Sequence, residues 1–241
     1  MTGTLVNTVT VLAGGAIGLL LGRGLNDRIQ QAVTYMLGIS TIIIGLNGMI
    51  TLMVRVDPAT GTLSSSNELL LLVSLALGAV VGELLDIDRR LDTLGQHLER
   101  RLGTSNFSKG FVSASLLFCV GAMAIVGSLS DGLTGDSSVL FLKSALDFIA
   151  AIVLASTLGV GVLFSAATVL VYQGAISLGA GLLAPVLTGP LLDQVCMVGY
   201  GVVLCIGINF FGVVKIKTAN LIPGLLVPVM YNVLILLKNL W

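Results

Sequence analysis

Long apolar runs separated by short polar stretches extend along the whole chain. A helix that crosses a membrane needs about 20 predominantly apolar residues, because the hydrocarbon core of a bilayer is about 30 Å thick. By that rule the pattern predicts eight spans, near 4–22, 31–54, 67–86, 111–130, 139–158, 160–184, 192–213 and 219–238. The predicted fold class is therefore all-α, a polytopic membrane helix bundle that forms a single integral membrane domain over residues 1–241.

The fifth and sixth predicted spans come from one apolar stretch, residues 139–184, in which only Lys143 and Asp147 are charged. That stretch is too long for a single span at a reasonable tilt. We expect the chain to turn within residues 156–161, because two glycines there permit a tight turn.

Basic residues are concentrated in the connections between spans 1 and 2, 3 and 4, and 7 and 8. These connections contain nine of the twelve basic residues: Arg23, Arg28, Arg89, Arg90, Arg100, Arg101, Lys109, Lys215 and Lys217. The positive-inside rule places such loops in the cytoplasm. All three lie on one side only if even numbers of spans separate them. Eight spans satisfy this condition and place both termini outside, whereas seven spans do not.

The connection after the third span is predicted to continue as a cytoplasmic amphipathic helix at 87–102. Apolar residues recur on one face at helical spacing, and arginines and acids fill the other. Such a pattern is typical of a helix that lies on the membrane surface.

Two pairs of segments share a short signature in the same order. Gly45-Leu46-Asn47 in span 2 matches Gly207-Ile208-Asn209 in span 7, and Gly15-Ala16-Ile17 in span 1 matches Gly174-Ala175-Ile176 in span 6. Chance similarity between glycine-rich apolar segments is the alternative to a true duplication. If spans 1–3 are duplicated as spans 6–8, the two intervening spans make the copies antiparallel, which is a construction common in transporters.

Small residues recur every four positions in two of the spans. Gly14, Gly18 and Gly22 form such a stripe in span 1, as do Ser74, Gly78 and Gly82 in span 3. Stripes of this kind let helix backbones approach closely. We expect tight helix packing, with a seam between two copies of the chain as the alternative.

Composition agrees with a membrane protein: 56% of the residues are hydrophobic and 10% are charged, against about 25% charged in soluble domains. Twelve basic and twelve acidic residues cancel, so nothing favours nucleic acid as a partner. The expected partner is the lipid bilayer, with an ion or small solute and a second copy of the chain as further candidates. One histidine, no HExxH or Ser-His-Asp arrangement and no CxxC pair predict no enzyme activity, no cofactor and no metal site.

Polar residues inside apolar spans are the candidates for a substrate or ion site, because they are costly in a membrane. The candidates are Asp147, Lys143, Ser144, Asn47, Asn209 and Asn220. Asp147 and Lys143 lie one helical turn apart. One interpretation is a neutralising ion pair whose lysine extends outward to the membrane surface. The other is a protonatable or cation-binding carboxylate that faces a cavity with Asn47, Asn209 and Ser144. Asp131 and Asp136 are assigned to an outer loop.

The run "AMAIVGSLSDGLTGDSSVLFLKSALDFIAAIVLASTLGVGVLFSA", together with the opening "GTLVNTVTVLAGGAIG", resembles the YqgA-like family of bacterial inner-membrane proteins. The resemblance covers nearly the whole chain. It implies a multi-span protein of the bacterial inner membrane. The family is known as a domain of unknown function, so the resemblance implies no mechanism and no functional residues.

These observations favour a small transporter or channel for an ion or small solute, with Asp147 central. The alternative is a structural or accessory membrane subunit in which every polar group joins helices together. A membrane enzyme is the third class, and the absence of a catalytic motif speaks against it.

The predicted topology can be tested with single cysteines at Thr60, Gln96 and Lys217, introduced into a variant without the three native cysteines. An impermeant thiol reagent applied to intact cells should label only the cysteine at position 60, because the other two positions lie in connections predicted to be cytoplasmic. Labelling at position 217 would contradict the even number of crossings.

Overall fold

The structure is a computed structural model that describes residues 1–22, 26–56, 61–90, 93, 97, 107–120, 122–183 and 189–239. Its helices are α1 (Thr2–Gly22), α2 (Asp27–Met53), α3 (Glu68–Leu85), α4 (Phe107–Cys119), α5 (Ala122–Leu133), α6 (Ser138–Leu158), α7 (Gly161–Leu178), α8 (Ala180–Leu183), α9 (Pro190–Asn209), a 3₁₀ helix (Thr218–Leu226) and α10 (Val227–Asn239). Between α2 and α3, strands β1 (Val54–Val56) and β2 (Leu63–Ser65) pair antiparallel, with Val54 opposite Ser65.

The predicted all-α membrane bundle is confirmed. Six described helices are long and apolar enough to cross a membrane, namely α1, residues 31–53 of α2, α3, α6, α7 and α9. A seventh candidate is the pair formed by α4 and α5, whose axes are inclined by 61°. By length and composition the described residues thus give six or seven spans, against the predicted eight.

The last predicted span, 219–238, does not form one α-helix. The 3₁₀ helix occupies its first half and contains Pro223, and α10 follows from Val227. Proline has no backbone N–H to donate to the preceding turn, which disfavours a continuous α-helix at this point. Of the predicted amphipathic helix at 87–102, only residues 87–90, 93 and 97 are described, all as helix, and the remainder lies outside the described residues.

The chain folds into two compact units. Unit 1 comprises Met1–Ile39 and Arg89–Leu187, and unit 2 comprises Ser40–Asp88 and Thr188–Trp241, so that α2 passes from one unit into the other. In unit 1, α1 packs along α6, and α7 packs against α1, α4 and α5. In unit 2, α3 packs against the 3₁₀ helix, and α9 contacts both.

The glycine stripe of α1 is the contact surface for α6 inside unit 1. A Cβ atom added at Gly14 would lie 2.5 Å from the Phe148 carbonyl oxygen, and one at Gly22 would lie 2.5 Å from that of Ser156. A Cβ at Gly18 would collide with the Ile152 carbonyl oxygen between them. The two backbones are therefore in direct contact over two helical turns, as the stripe predicted.

Unit 2 contains a second seam of the same kind. A Cβ at Gly78 would lie 2.7 Å from the Gly224 nitrogen, and a Cβ at Gly224 would lie 2.5 Å from the Ser74 carbonyl oxygen. A Cβ at Gly82 would overlap the Asn220 carbonyl oxygen. The stripe of α3 therefore holds the 3₁₀ helix against it.

We expect Gly18→Ala to lower the free energy of unfolding by about 1–3 kcal/mol, because the added methyl group must push α1 away from the α6 backbone. The matched control is Gly181→Ala in α8, since a Cβ there meets no atom within 4 Å. Thermal unfolding of the purified protein in detergent measures both. Equal melting temperatures for the two variants would contradict the tight seam.

Candidate functional site

Three helices of unit 1 bring four polar side chains together in an apolar environment. Asn7 comes from α1, Lys143 and Asp147 from α6, and Gln173 from α7. We call these four residues the buried polar cluster. Lys143 and Asp147 are each 6% exposed, and Asn7 and Gln173 are 0% exposed.

Bonds within the cluster converge on one carboxylate oxygen. Lys143 Nζ donates to Asp147 Oδ2 over 2.6 Å, and Asn7 Nδ2 donates to the same oxygen over 3.0 Å. Asn7 Nδ2 also donates to Gln173 Oε1 over 3.3 Å. Lys143 is buried, and its ammonium group pairs with Asp147. This is the neutralising ion pair that one interpretation of the sequence expected, with the lysine side chain buried instead of extended outward.

Two polar atoms of the cluster are buried without a hydrogen-bond partner among the described residues: Asn7 Oδ1 and Gln173 Nε2. They are the opposite ends of the two amides that bond to each other. A buried polar atom without a partner costs about 1–3 kcal/mol. One acceptor, Asn7 Oδ1, and one donor, Gln173 Nε2, are thus unpaired among the described residues of the buried polar cluster that contains the Lys143–Asp147 pair.

Ser144 lies one turn from the cluster and does not bond to it. Its hydroxyl donates to the Leu140 carbonyl oxygen of its own helix over 2.6 Å. Serine in a membrane helix commonly satisfies its hydroxyl in this way. The structure therefore brings Ser144 near Asp147 and directs its hydroxyl to the backbone.

The three candidate asparagines belong to unit 2, whereas Asp147 belongs to unit 1. Asn209 fastens the chain that follows α9, since its Nδ2 donates to the Ile216 carbonyl over 2.7 Å and its Oδ1 accepts the Ile216 N–H over 2.8 Å. Asn47 is exposed on α2.

Asn220 joins the start of the 3₁₀ helix to the end of α3. Its Oδ1 accepts the Asp88 N–H over 2.8 Å, and its Nδ2 donates to the Glu83 carboxylate. Glu83 also pairs with Lys217, and that hydrogen bond raises the pKa of the Lys217 ammonium group. The side-chain groups of Asn209 and Asn220 are thus used in holding backbone segments.

Asp131 lies in α5 and is 3% exposed, so its assignment to an outer loop was wrong. Its carboxylate accepts the N–H groups of Gly3 and Thr4, each over 3.4 Å, and the Ser137 hydroxyl over 2.7 Å. A carboxylate is favourable there because the first N–H groups of a helix have no partner within that helix. Asp131 therefore caps α1 from another helix.

Sequence reasoning missed Asn7 and Gln173, which complete the cluster. Both are uncharged amides inside long apolar runs, and such residues are costly in a membrane for the same reason as charged ones. That signal was present in the sequence at positions 7 and 173, as it was at the three candidate asparagines.

Comparison with known proteins places the chain in a family. The family described as "Protein of unknown function (DUF554)" matches residues 2–233. The chain belongs to the DUF554 family. This confirms the resemblance to YqgA-like proteins noted from the sequence.

Two bacterial relatives of this DUF554 protein cover nearly its full length. It is 33% identical over 229 residues to "Uncharacterized membrane protein YdfK" of Bacillus subtilis (strain 168), covering 95% of this chain and 94% of the relative. It is 29% identical over 231 residues to "Uncharacterized protein YqgA" of Escherichia coli (strain K12), covering 93% of each. No solved structure matches the chain.

Breaking the ion pair of this DUF554 protein should destabilise it. Lys143→Met leaves the Asp147 carboxylate buried with one amide donor, and Asp147→Asn leaves the Lys143 ammonium buried, so each should cost about 3–5 kcal/mol. The double variant removes both charges and should recover most of the loss. Thermal unfolding of all four proteins in one detergent gives the coupling, and additive losses would contradict a buried pair.

Proposed function

We propose that this multi-span membrane protein is a small transporter or channel for an ion or small solute, with the buried polar cluster as its binding site. The observation that carries the proposal is the Lys143–Asp147 pair, buried among apolar helices together with the amides of Asn7 and Gln173. A charge at membrane depth costs at least about 2.5 kcal/mol. Well-packed apolar residues would often serve stability at least as well as a buried ion pair.

Broken helices support a transport role. In unit 1, α4 and α5 are inclined by 61° to each other. In unit 2, the 3₁₀ helix with Pro223 precedes α10. Discontinuous helices of this kind form the substrate sites of many transporters.

The predicted inverted repeat also fits a transporter, and the contacts within each unit support it. The repeat pairs α1 with α7, α2 with α9, and α3 with the 3₁₀ helix and α10. A Cβ at Gly15 of α1 would touch Leu163 of α7, and a Cβ at Gly45 of α2 would touch Leu204 of α9. The α3 seam pairs Gly78 with Gly224. Each of these contacts lies within one unit and joins two helices that the repeat would make equivalent.

The orientation and location belong to the same proposal. We place the protein in the bacterial inner membrane with both termini outside, on the basic residues of the cytoplasmic connections and on its two bacterial relatives. It acts without enzymatic chemistry in this proposal.

A structural or accessory subunit is the second candidate. The bonds of Asn209 and Asn220 to backbone groups favour it, because these residues act as fastenings. Under this reading the Lys143–Asp147 pair fixes the packing of α6 and moves no solute.

Flux through proteoliposomes separates the two candidates. A thermal-shift screen of the purified protein against ions and metabolites first selects the solutes to test. Asp147→Asn should abolish flux of the selected solute, because it removes the carboxylate that receives both donors. The matched control is Asp136→Asn, which removes an exposed carboxylate that bonds the Ser138 N–H and should leave flux intact. Unchanged flux in Asp147→Asn would exclude the buried polar cluster as the binding site, and absence of flux in the unmodified protein would favour the accessory subunit.

A further inference from the structure

Among the described residues, hydrogen-bond donors contact one of the two oxygens of the Asp147 carboxylate. Lys143 and Asn7 both donate to Oδ2, and among the described residues no donor bonds to Oδ1. A carboxylate has about four lone-pair positions on its two oxygens. The carboxylate therefore keeps lone pairs that a further positive group can occupy.

A metal cation is a poor match for that position. Hard cations take about six or more oxygen ligands, whereas the side chains of the buried polar cluster supply four oxygen atoms, two from Asp147 and one each from Asn7 and Gln173. Nowhere in the described part of the chain do three or more His, Cys, Asp or Glu side chains gather as metal ligands. A proton needs only one lone pair.

The two amides give the cluster a second hydrogen-bond arrangement. With a charged Asp147, Asn7 presents its NH₂ group to both Asp147 Oδ2 and Gln173 Oε1. The unpartnered atoms, Asn7 Oδ1 and Gln173 Nε2, are the opposite ends of the same amides. If both amides rotate by half a turn, Asn7 Oδ1 accepts from Gln173 Nε2 and faces Asp147. That arrangement is favourable only when Asp147 carries a proton to donate.

We propose that Asp147 is a proton-binding site, and hence that the proton is the transported or coupling ion of this protein. This inference rests on the transport function proposed above and narrows its substrate class. A proton delivered by water forms an O–H bond on the Asp147 carboxylate, and the water that carried it is released. Lys143 remains an ammonium group, so the charge of the cluster changes from zero to plus one. Deprotonation from the other side of the membrane reverses the step.

The charged and titratable surroundings of Asp147 are few. On α6 itself the other charged residue is Lys143, and α1 contains no titratable side chain. On α4 they are Lys109, which is exposed, and Cys119, whose thiol lies within range of both cluster charges. On α5 the group is Asp131, bonded to Ser137, and on α7 it is Tyr172. No second carboxylate among the described side chains bonds to the cluster, so Asp147 is the group on it that takes the proton.

Infrared spectra of the full-length protein in lipid bilayers test the site without relying on transport. Acidification should produce the C=O band of a protonated carboxylic acid, which Asp147→Asn abolishes and Asp136→Asn retains. Lys143→Met should move the midpoint of that band to higher pH by about one to three units, because a nearby cation favours the charged carboxylate. Asn7→Leu should move it in the same direction by less, and it serves where Lys143→Met fails to fold. Absence of the band throughout the pH range of the folded protein would overturn the inference.

Proteoliposomes that contain a pH-sensitive dye, with a potassium diffusion potential imposed by valinomycin, test the transported ion. Proton flux that Asp147→Asn abolishes and Asp136→Asn retains supports the inference. Flux of sodium or chloride that depends on Asp147, without proton flux and without the infrared band, overturns the proton site and leaves the transport proposal standing. An infrared band that depends on Asp147, with no flux of any tested ion, supports the proton site and removes the transport proposal.

Discussion

The seam between α1 and α6 fixes the geometry on which the candidate site depends. Asn7, Val11, Gly14 and Gly18 lie on one face of α1, since their spacing of three and four residues follows the helical repeat. The glycines bring the backbones into contact at Phe148 and Ile152. With that register fixed, Asn7 faces the helix turn that carries Asp147 and donates to its Oδ2. A larger residue at either glycine would separate the helices and lengthen this bond, so a packing feature determines whether the polar cluster exists.

The cluster balances charge but not hydrogen bonds. The Lys143–Asp147 pair is neutral as a whole, which limits the cost of burying it, and Asn7 strengthens the carboxylate side. Yet Asn7 Oδ1 and Gln173 Nε2 remain without partners among the described atoms. In an apolar environment each such atom is unfavourable, and natural cores contain few of them. The imbalance is what distinguishes this cluster from an ordinary buried ion pair.

Whether a feature could be predicted from the sequence depends on how far apart its interacting residues lie along the chain. Apolar length and glycine spacing are local, so the helices and the α1 stripe could be predicted, as could the Lys143–Asp147 pair, which lies on one helix. Asn7 bonds to Asp147, 140 residues away in the chain, and Gln173 bonds to Asn7, 166 residues away, and no local pattern specifies such contacts. The same reason explains the error at Asp131, which resembles a loop residue beside its glycine neighbours and caps α1 through tertiary packing. Asn209 and Asn220 could be recognised from the sequence as polar residues in apolar spans. Their backbone hydrogen-bond partners could not be predicted from it.

Polar side chains are hydrogen-bonded differently in the two units, and this difference indicates where a change of protonation state can occur. In unit 2 the side chains of Asn209 and Asn220 bond to backbone or to Glu83, and Gln194 joins Asn67 to Asn232. Among the residues that the structure describes, unit 2 has one fully buried polar side-chain atom without a hydrogen-bond partner. This atom is Ser74 Oγ, which lies at the glycine seam between α3 and the 3₁₀ helix. In unit 1 the unpartnered atoms belong to the same group of residues as a buried acid and its cation. When a side chain gains or loses a proton, the free energies of two conformations that surround it differently change by different amounts. In the proposed function, unit 1 contains the residues that respond to an ion, whereas the polar residues of unit 2 hold its helices in place.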